Sequence, residues 1–257
     1  MWGVINIDKP YDVTSRDVVD HVQRLVRPAR AGHAGTLDPL ATGVLVVCVG
    51  GATRLIEFVQ ERPKSYVGTF LLGRSSETED VESPVTELPA APIPSRDELT
   101  AVFPQFLGEI LQRPPAYSAL KVGGRRAYAL ARRGEHVELQ PRPIVVHRLE
   151  LVRYEYPELV LQIDCGSGTY VRSLGRDIAA ALGTAAVMSA LRRTAIGSFT
   201  AETACQLHDL TAQTLEDRLL PPVRAVEHLP TVRLSPAQIE EIAHGRAIQA
   251  MPSAPGP

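Results

Sequence analysis

Apolar residues near the start of the chain follow two different periods. Residues 4–7 form a short apolar run that predicts a strand, and the β-branched run at residues 44–49 predicts a buried strand. Between them, residues 14–27 carry apolar positions at helical spacing, and Thr14 with Asp17 resembles a capping box at the start of that helix. The apolar positions of the predicted helix are Val18, Val19, Val22, Leu25 and Val26.

The same analysis predicts three more strands and further helices, one of them beginning at a second capping box formed by Ser95 and Glu98. Residues 66–72 predict a strand, and residues 144–154 and 159–165 predict a hairpin. Residues 169–182 and 235–245 predict helices. Because helices and strands do not alternate regularly and hairpins occur, the pattern favours an α+β fold with a mixed sheet decorated by helices over a doubly wound parallel sheet.

The composition is that of a globular protein. The chain has 257 residues, of which 44% are hydrophobic and 22% charged, and this excludes a fully disordered or collagen-like protein. Its three cysteines are too scattered for a disulfide framework. The longest apolar run, residues 43–52, is about half of what a membrane span needs, and we see no secretory signal pattern. We therefore expect a cytoplasmic protein without a membrane role.

Charge is unevenly distributed along the chain although the formal net charge is only -2. Residues 113–153 are strongly basic, whereas residues 74–99 are acidic and contain Glu79, Asp80 and Glu82. These segments are either solvated surface or the two sides of a polarised surface, whose basic side could face nucleic acid.

Common catalytic and cofactor motifs are absent from the sequence. It contains no Gly-x-x-x-x-Gly-Lys-Ser/Thr loop, no His-Glu-x-x-His and no Gly-x-Ser-x-Gly, and its seven histidines show no metal-ligand spacing. Residues 166–168 are too short for a dinucleotide fingerprint. We therefore expect neither a metal nor a nucleotide cofactor.

Polar residues concentrate in one glycine-containing segment, residues 30–42, which we interpret as a loop before a buried strand. Glycine permits tight backbone paths there, and Asp38 precedes Pro39, which biases its backbone towards extended or turn geometry. Two interpretations remain open from the residues alone. Asp38 is either the cap of an ordinary surface turn or the carboxylate of a site.

Residues 32–43, Gly-His-Ala-Gly-Thr-Leu-Asp-Pro-Leu-Ala-Thr-Gly, resemble the catalytic motif of bacterial tRNA pseudouridine-55 synthases. Further segments are similar to that family in the same order, and the resemblance covers residues 2–230. A single short match would be weak, whereas an ordered series is specific. The further segments are residues 7–10, 64–66, 115–121 with 124–128, 165–172, and 191–194 with 196–197.

The resemblance implies a pseudouridine synthase fold, with a mostly antiparallel mixed sheet and a central active-site cleft. It implies a catalytic domain at residues 1–230, the opening helix of a C-terminal RNA-binding domain at 231–250, and a disordered tail at 251–257. Because little of that second domain is present, we expect weaker tRNA binding than in longer relatives. The implied reaction isomerises uridine to pseudouridine at position 55 in the T-loop of tRNA, without a cofactor, a metal or an obligatory protein partner.

The resemblance makes Asp38 the essential carboxylate and candidate nucleophile. An ionised carboxylate in a dry pocket needs an opposite charge close to it. Arg172 is the family-matched partner, and a bidentate pair between the two would orient Asp38.

Other side chains would bind the nucleotide and the RNA backbone. By resemblance, Tyr66 stacks on the target base, Tyr170 and Leu191 line the pocket, and His33 fills the space that the extruded nucleotide leaves. Basic residues would contact phosphates. The candidates for phosphate contact are Lys9, Arg54, Lys64, Lys121, Arg125, Arg192 and Arg193.

Two other functions remain open at this stage. A non-catalytic tRNA-binding chaperone would keep the basic residues and tolerate loss of Asp38. A sister RNA uridine isomerase would act on another RNA target, with a guide RNA and protein partners.

Overall fold

A mixed sheet of ten strands lies at the centre of the part of the chain that the computed structural model describes, which is residues 1–118, 120–122, 124–131, 133 and 139–248. Two further strand pairs lie outside this sheet. The strands are β1 (Gly3–Lys9), β2 (Ala31–His33), β3 (Ala41–Val49), β4 (Lys64–Leu72), β5 (Arg74–Ser75), β6 (Thr86–Glu87), β7 (Gly108–Gln112), β8 (Lys121–Val122), β9 (Arg125–Arg126), β10 (Arg142–Glu155), β11 (Glu158–Cys165), β12 (Ala186–Ile196), β13 (Phe199–Thr200) and β14 (Cys205–Gln206).

Seven helices accompany these strands within the described residues, together with short 3-10 turns. They are α1 (Ser15–Val26), α2 (Ile56–Gln60), α3 (Arg96–Val102), α4 (Ala127–Ala131), α5 (Val171–Ala181), α6 (Leu215–Arg218) and α7 (Pro236–Ala243).

The main sheet has the order β14-β1-β3-β12-β4-β11-β10-β7, with β2 paired to β3 and β13 paired to β12. The pairs β1/β14 and β3/β12 are parallel, and the other pairs are antiparallel. The predicted α+β fold with a mixed, mostly antiparallel sheet is therefore confirmed.

The periodic segments form the elements that the sequence predicts. Thr14 and Asp17 make the predicted capping box at the start of α1, and β10 and β11 form the predicted hairpin. The predictions of a strand at residues 66–72 and of helices at residues 169–182 and 235–245 are confirmed, with slightly different ends, by β4, α5 and α7.

The expectation of a continuous loop at residues 30–42 is wrong, because β2 lies within it and β3 already begins at Ala41. One edge of β3 is shared between two partners. Its first residues pair with β12, and its last residues pair with β2. Strand β2 has no strand pattern of its own in the sequence. It forms because its backbone pairs with the part of the β3 edge that β12 does not occupy.

Apolar residues cover both faces of β3, which explains why its sequence is a continuous apolar run. Leu45 and Val47 face a cluster with α1, where Val18 and Val22 are fully buried. The alternate residues of β3 pack in a second cluster with Phe199. A third, larger cluster joins α5 to β4, β11 and β12. The turn before β3 is therefore attached to a rigid strand.

The chain beyond β14 packs back on the sheet edge. Val4 and Leu220 exchange two backbone hydrogen bonds of 2.9 and 2.8 Å. Helix α7 contains no buried residue. The predicted tail at residues 251–257 and the last two positions of the predicted segment 231–250 lie outside the described residues, and the predicted division into domains stays a prediction.

Candidate active site

Asp38 lies in the turn between β2 and β3. Its backbone carbonyl accepts a hydrogen bond of 3.0 Å from the Ala41 amide. The flanking Leu37 and Leu40 side chains are each only 4% exposed, whereas the Asp38 side chain is 36% exposed. The turn is therefore anchored in the core on both sides of a carboxylate that solvent can reach.

The backbone that follows Asp38 is held by two neighbouring segments. Pro39 O accepts hydrogen bonds from Lys9 Nζ at 3.2 Å and from the Asp12 amide at 3.0 Å. Glu82 Oε1 accepts one of 3.0 Å from the Leu40 amide. These bonds occupy backbone groups that would otherwise need water, and they limit the movement of the turn.

The guanidinium of Arg172, at the start of α5, joins Asp38 to a second carboxylate. Arg172 Nη2 lies 3.1 Å from Asp38 Oδ2, and Nη1 lies 3.0 Å from Asp80 Oδ2. Nη1 and Nη2 also donate to the carbonyls of Thr78 and Tyr117, at 2.8 and 3.2 Å. The predicted pair with Asp38 is present, but it is a single contact and not bidentate, because the other arm of the fork binds Asp80.

Asp80 was missed by sequence reasoning, which treated its acidic segment as solvated surface or as one side of a polarised surface. The residue is fully buried, and its Oδ1 accepts hydrogen bonds from Thr78 Oγ1 at 2.5 Å and from the Glu82 amide at 3.0 Å. The neighbouring Val81 amide donates to Met188 O of β12 at 3.1 Å. The one sequence signal was Thr78 two residues earlier, a spacing typical of a local polar turn.

Tyr66 lies on β4, in the centre of the main sheet. In the register of the sheet it is paired with Arg193 of β12 on one side and with Ile163 of β11 on the other. Its side chain is 7% exposed, and burial raises the pKa of its phenol, so Tyr66 is neutral at physiological pH. Leu191 of β12 lies opposite both Ala41 of β3 and Gly68 of β4 in the sheet and is 8% exposed. The central strands thus bring these two predicted site residues close together.

Arg193 was predicted to contact phosphate, and the structure contradicts this. It is 1% exposed, and its guanidinium donates to Val44 O at 2.7 Å and to Gly35 O at 3.0 Å. Its backbone also touches Gly43, whose φ is 99° and where an added Cβ would lie 2.2 Å from Arg193 O. Arg193 therefore connects β12 to the turn that carries Asp38, and RNA cannot reach its guanidinium.

The same correction applies to Lys9 and Lys64. Lys9 is fully buried and donates to the carbonyls of Pro10, Val13 and Pro39, and Lys64 is 7% exposed and donates to the carbonyls of Gln60 and Arg62. Burial lowers the pKa of each ammonium from 10.5 to about 8. Both lysines stabilise backbone carbonyls, and neither offers its charge to a phosphate.

The remaining phosphate candidates have different surroundings. Arg54 is exposed on a 3-10 turn, and Arg125 is exposed next to β8. Arg192 is 41% exposed and forms an ion pair of 2.8 Å with Asp8. Lys121 belongs to β8, and its side chain lies outside what the structure describes.

Tyr170 is the N-cap residue of α5 and is held by a residue that sequence reasoning missed. Gln112 is 1% exposed, and its side-chain amide donates to Tyr170 O at 3.0 Å and accepts from Tyr170 N at 2.9 Å. Arg142 lies over the Tyr170 ring, 5.1 Å from its centroid, and also donates to Gly168 O at 2.5 Å. No motif marked Gln112, since a lone glutamine at the end of a strand has no distinctive pattern.

His33 ends β2 near the same turn, and its Nδ1 is buried without a hydrogen-bond partner. Burial lowers the pKa of this imidazole, and the charges of Arg193 and Arg16 act in the same direction. His33 is therefore neutral at physiological pH and keeps one unused ring nitrogen.

We expect acid to destabilise the wild-type protein more than His33→Gln. In the unfolded chain His33 binds a proton near the ordinary pKa of 6.5. In the folded chain its pKa is lower, so the proton binds only at a lower pH. The stability contributed by His33 is thus present above pH 6.5 and is lost as the pH falls through that value towards the lower folded pKa. Urea midpoints measured from about pH 7 to about pH 5 would show this as a steeper fall for the wild type.

The control is His147→Gln, because His147 is exposed on β10. That variant should follow the wild-type pH dependence. Equal pH dependence of wild type and His33→Gln would contradict the prediction.

No group of three or more histidine, cysteine, aspartate or glutamate side chains that could hold a metal ion occurs in the described part of the chain. Over the same residues, no helix is both long and apolar enough to cross a membrane.

Comparison with known proteins assigns the chain to a family. Residues 23–171 match the family model described as the TruB family pseudouridylate synthase N-terminal domain, and residues 172–229 match the tRNA pseudouridylate synthase B C-terminal domain. The chain belongs to the TruB family of pseudouridylate synthases. Both TruB models meet at the start of α5, so the pair between Asp38 and Arg172 joins the two matched regions.

Curated TruB relatives cover almost the whole chain. It is 44% identical to tRNA pseudouridine synthase B of Caulobacter sp. (strain K31), over 97% of this chain and 82% of the relative. It is 41% identical to the protein of the same name from Gluconacetobacter diazotrophicus, over 96% of this chain and 82% of the relative. This TruB family member is a pseudouridine synthase, an enzyme that isomerises uridine.

Solved structures show the same fold. The chain resembles a chain of a Cbf5-Nop10-Gar1 complex with a TM-score of 0.75 and 32% identity, over 95% of this chain and 67% of that one. It resembles a chain of an H/ACA RNP bound to a substrate RNA containing 2'-deoxyuridine with a TM-score of 0.73 and 30% identity, over 96% of this chain and 67% of that one. The predicted pseudouridine synthase fold is therefore confirmed.

Proposed function

We propose that this chain isomerises uridine 55 in the T-loop of tRNA to pseudouridine, and that the Asp38 carboxylate is the group that acts on the nucleotide. The observation that carries the proposal is the geometry of Asp38. Its carboxylate lies 3.1 Å from the Arg172 guanidinium, which is 8% exposed, and is itself 36% exposed. The buried guanidinium keeps the carboxylate charged and oriented, and the exposed part of the carboxylate is accessible to a substrate.

The substrate assignment is supported by the relatives named tRNA pseudouridine synthase B, which match nearly the whole chain. The reaction breaks the N1–C1′ glycosidic bond and forms a C5–C1′ bond. The hydrogen leaves C5 and a proton is taken up at N1, so atoms and electrons balance without an oxidant or a reductant. Uridine in a folded loop is stacked, so the nucleotide must be extruded, at a cost of about a few kcal/mol.

In this proposal the extruded uracil meets Tyr66 and Leu191, which the central strands bring together. The neutral phenol of Tyr66 supplies a flat surface for stacking and can donate a hydrogen bond. Tyr170, fixed by Gln112 and Arg142, completes the pocket from α5, and His33 lies beside the turn where the RNA loop would be opened.

The phosphate contacts in this proposal come from Arg54 and Arg125, which are exposed, and from the partly exposed Arg192, with Lys121 as a further candidate. We predict that Arg54→Ala lowers the slope of log binding constant against log salt by about one, because one phosphate contact is lost. Lys64→Met should leave that slope unchanged, because Lys64 is buried on carbonyl oxygens. Filter binding of tRNA over a salt series measures both slopes, and an equal fall for the two variants would contradict the assignment.

The reaction itself is tested by tritium release. Unmodified tRNA labelled with 5-tritiated uridine is incubated with the isolated protein, and tritium in water is counted. We expect release of about one tritium per tRNA, and none from the T-loop of a tRNA with cytidine at position 55, because a single uridine loses its C5 hydrogen.

The alternatives give different results in the same experiment. A non-catalytic tRNA-binding chaperone binds tRNA but releases no tritium. A sister isomerase that needs a guide RNA and protein partners is inactive when isolated, so release by the isolated protein excludes that dependence. The proposal also includes the absence of an obligatory protein partner and a cytoplasmic location.

A further inference from the structure

We propose that Ser15, the first residue of α1, is a positioning residue for Asp38. It acts through the peptide groups of Leu37, the residue before Asp38. The inference rests on the proposed role of Asp38 in the isomerisation, and it assigns a specific task to a serine that does not face the substrate.

The Ser15 hydroxyl binds both polar backbone groups of Leu37. Its Oγ donates to Leu37 O at 3.0 Å and accepts from Leu37 N at 2.8 Å. Ser15 is 2% exposed, and both hydrogen bonds are buried. Because water cannot replace the hydroxyl there, its loss would leave a buried N–H and a buried C=O without partners.

Ser15 has no other task at the helix end. Thr14 Oγ1 already accepts from the Asp17 amide at 3.1 Å, and the Asp17 carboxylate accepts from the Thr14 amide at 3.0 Å. This reciprocal pair caps α1, so the Ser15 hydroxyl is directed at the turn and not at the helix. Val18 and Val22 bury α1 against the sheet, which makes Ser15 a rigid support.

The contacts on the two sides of Asp38 together fix its backbone. Ser15 holds Leu37 before it, while Lys9 and Asp12 bind Pro39 O after it. The direction of the Asp38 side chain, and its 3.1 Å contact with Arg172, depend on both attachments. A shift of about 1 Å in a reacting group can lower a rate by about a hundredfold.

The test is Ser15→Ala in the full chain, measured by single-turnover tritium release at saturating enzyme and by tRNA binding. We expect the rate constant to fall about 10- to 100-fold, because Asp38 is held less well in its reacting position. The dissociation constant for tRNA should change by less than about twofold, because Ser15 is buried away from RNA. A merely structural role would not separate the rate from the affinity in this way.

The control for the loss of a hydroxyl group is Thr203→Val, at an exposed position. Like the Ser15 hydroxyl, the Thr203 hydroxyl accepts one hydrogen bond and donates another. It accepts from Asn6 Nδ2 and donates to Thr200 O, each at 3.1 Å. It touches no part of the Asp38 turn in the described residues. This variant should keep the wild-type rate constant, and urea unfolding of both variants shows whether a change in rate follows a change in stability.

The outcomes separate this inference from the proposed function. If Ser15→Ala keeps the wild-type rate while Asp38→Asn is inactive, the inference is wrong and the proposed function stands. If Asp38→Asn is active, the proposed function fails.

If Ser15→Ala does not fold, hydrogen exchange of the Leu37 amide in the unsubstituted protein tests the inference instead. We expect strong protection, and exchange as fast as in an exposed loop would overturn the inference.

Discussion

Asp38→Asn will abolish tritium release from T-loop uridine while the protein stays folded. The amide has nearly the volume of the carboxylate, and Asp38 is 36% exposed, so the packing of the turn should be unchanged. What is lost is the negative charge and with it the proposed nucleophile. We expect the rate to fall by more than about 10⁴-fold, the scale observed when an enzyme loses its covalent nucleophile.

The control for this experiment is Asp97→Asn, which removes an exposed carboxylate from the first turn of α3. It should release tritium at the wild-type rate. Asp38→Asn should also bind tRNA with wild-type affinity, which shows that the defect lies in the chemical step. Full activity of Asp38→Asn would remove the basis of the mechanism proposed here.

Arg172→Met will both destabilise the protein and inactivate it. The substitution removes the cation between Asp38 and Asp80 and leaves the fully buried Asp80 without its ion-pair partner. Removing one partner of a buried pair costs about 3–5 kcal/mol of unfolding free energy. Urea unfolding would measure this loss, and single-turnover tritium release would measure the loss of activity.

A double variant separates the two effects. In Arg172→Met with Asp80→Asn, no buried charge is left without its partner, and the asparagine can still accept hydrogen bonds from Thr78 and the Glu82 amide. We expect most of the lost stability to return and the activity to stay low, because Asp38 still lacks its guanidinium. Recovery of activity together with stability would mean that Arg172 serves the fold alone.

The elements that the sequence predicts are those in which a local pattern agrees with the final packing. Helix α1 has a complete apolar face and a capping box, and β3 is a continuous β-branched run buried on both faces. Strand β12 gave no such signal, although it is central to the sheet. Its Ala186–Ile196 segment contains Arg192 and Arg193, which resemble surface residues until the carbonyl partners of Arg193 are known.

The same limit applies to the candidate site. Asp38 and Arg172 were found because a motif surrounds each of them, and the structure brings their side chains together. Asp80 has no motif, and its burial arises from contacts with Arg172 and β12 that are distant in sequence. Lys9 and Lys64 show the opposite error, since a basic residue type does not reveal that its ammonium is enclosed by carbonyl oxygens.

Gly43, the last residue of the motif around Asp38, has a consequence for how this enzyme can vary. A methyl group there would occupy the position of the Arg193 carbonyl and force β3 away from β12. These two strands carry the Asp38 turn and Leu191, so the distance between these two candidate site residues depends on the missing side chain of Gly43. One residue of the motif around Asp38 is thus required for space between two strands, and a larger residue there would change the spacing of the candidate site without touching its charged groups.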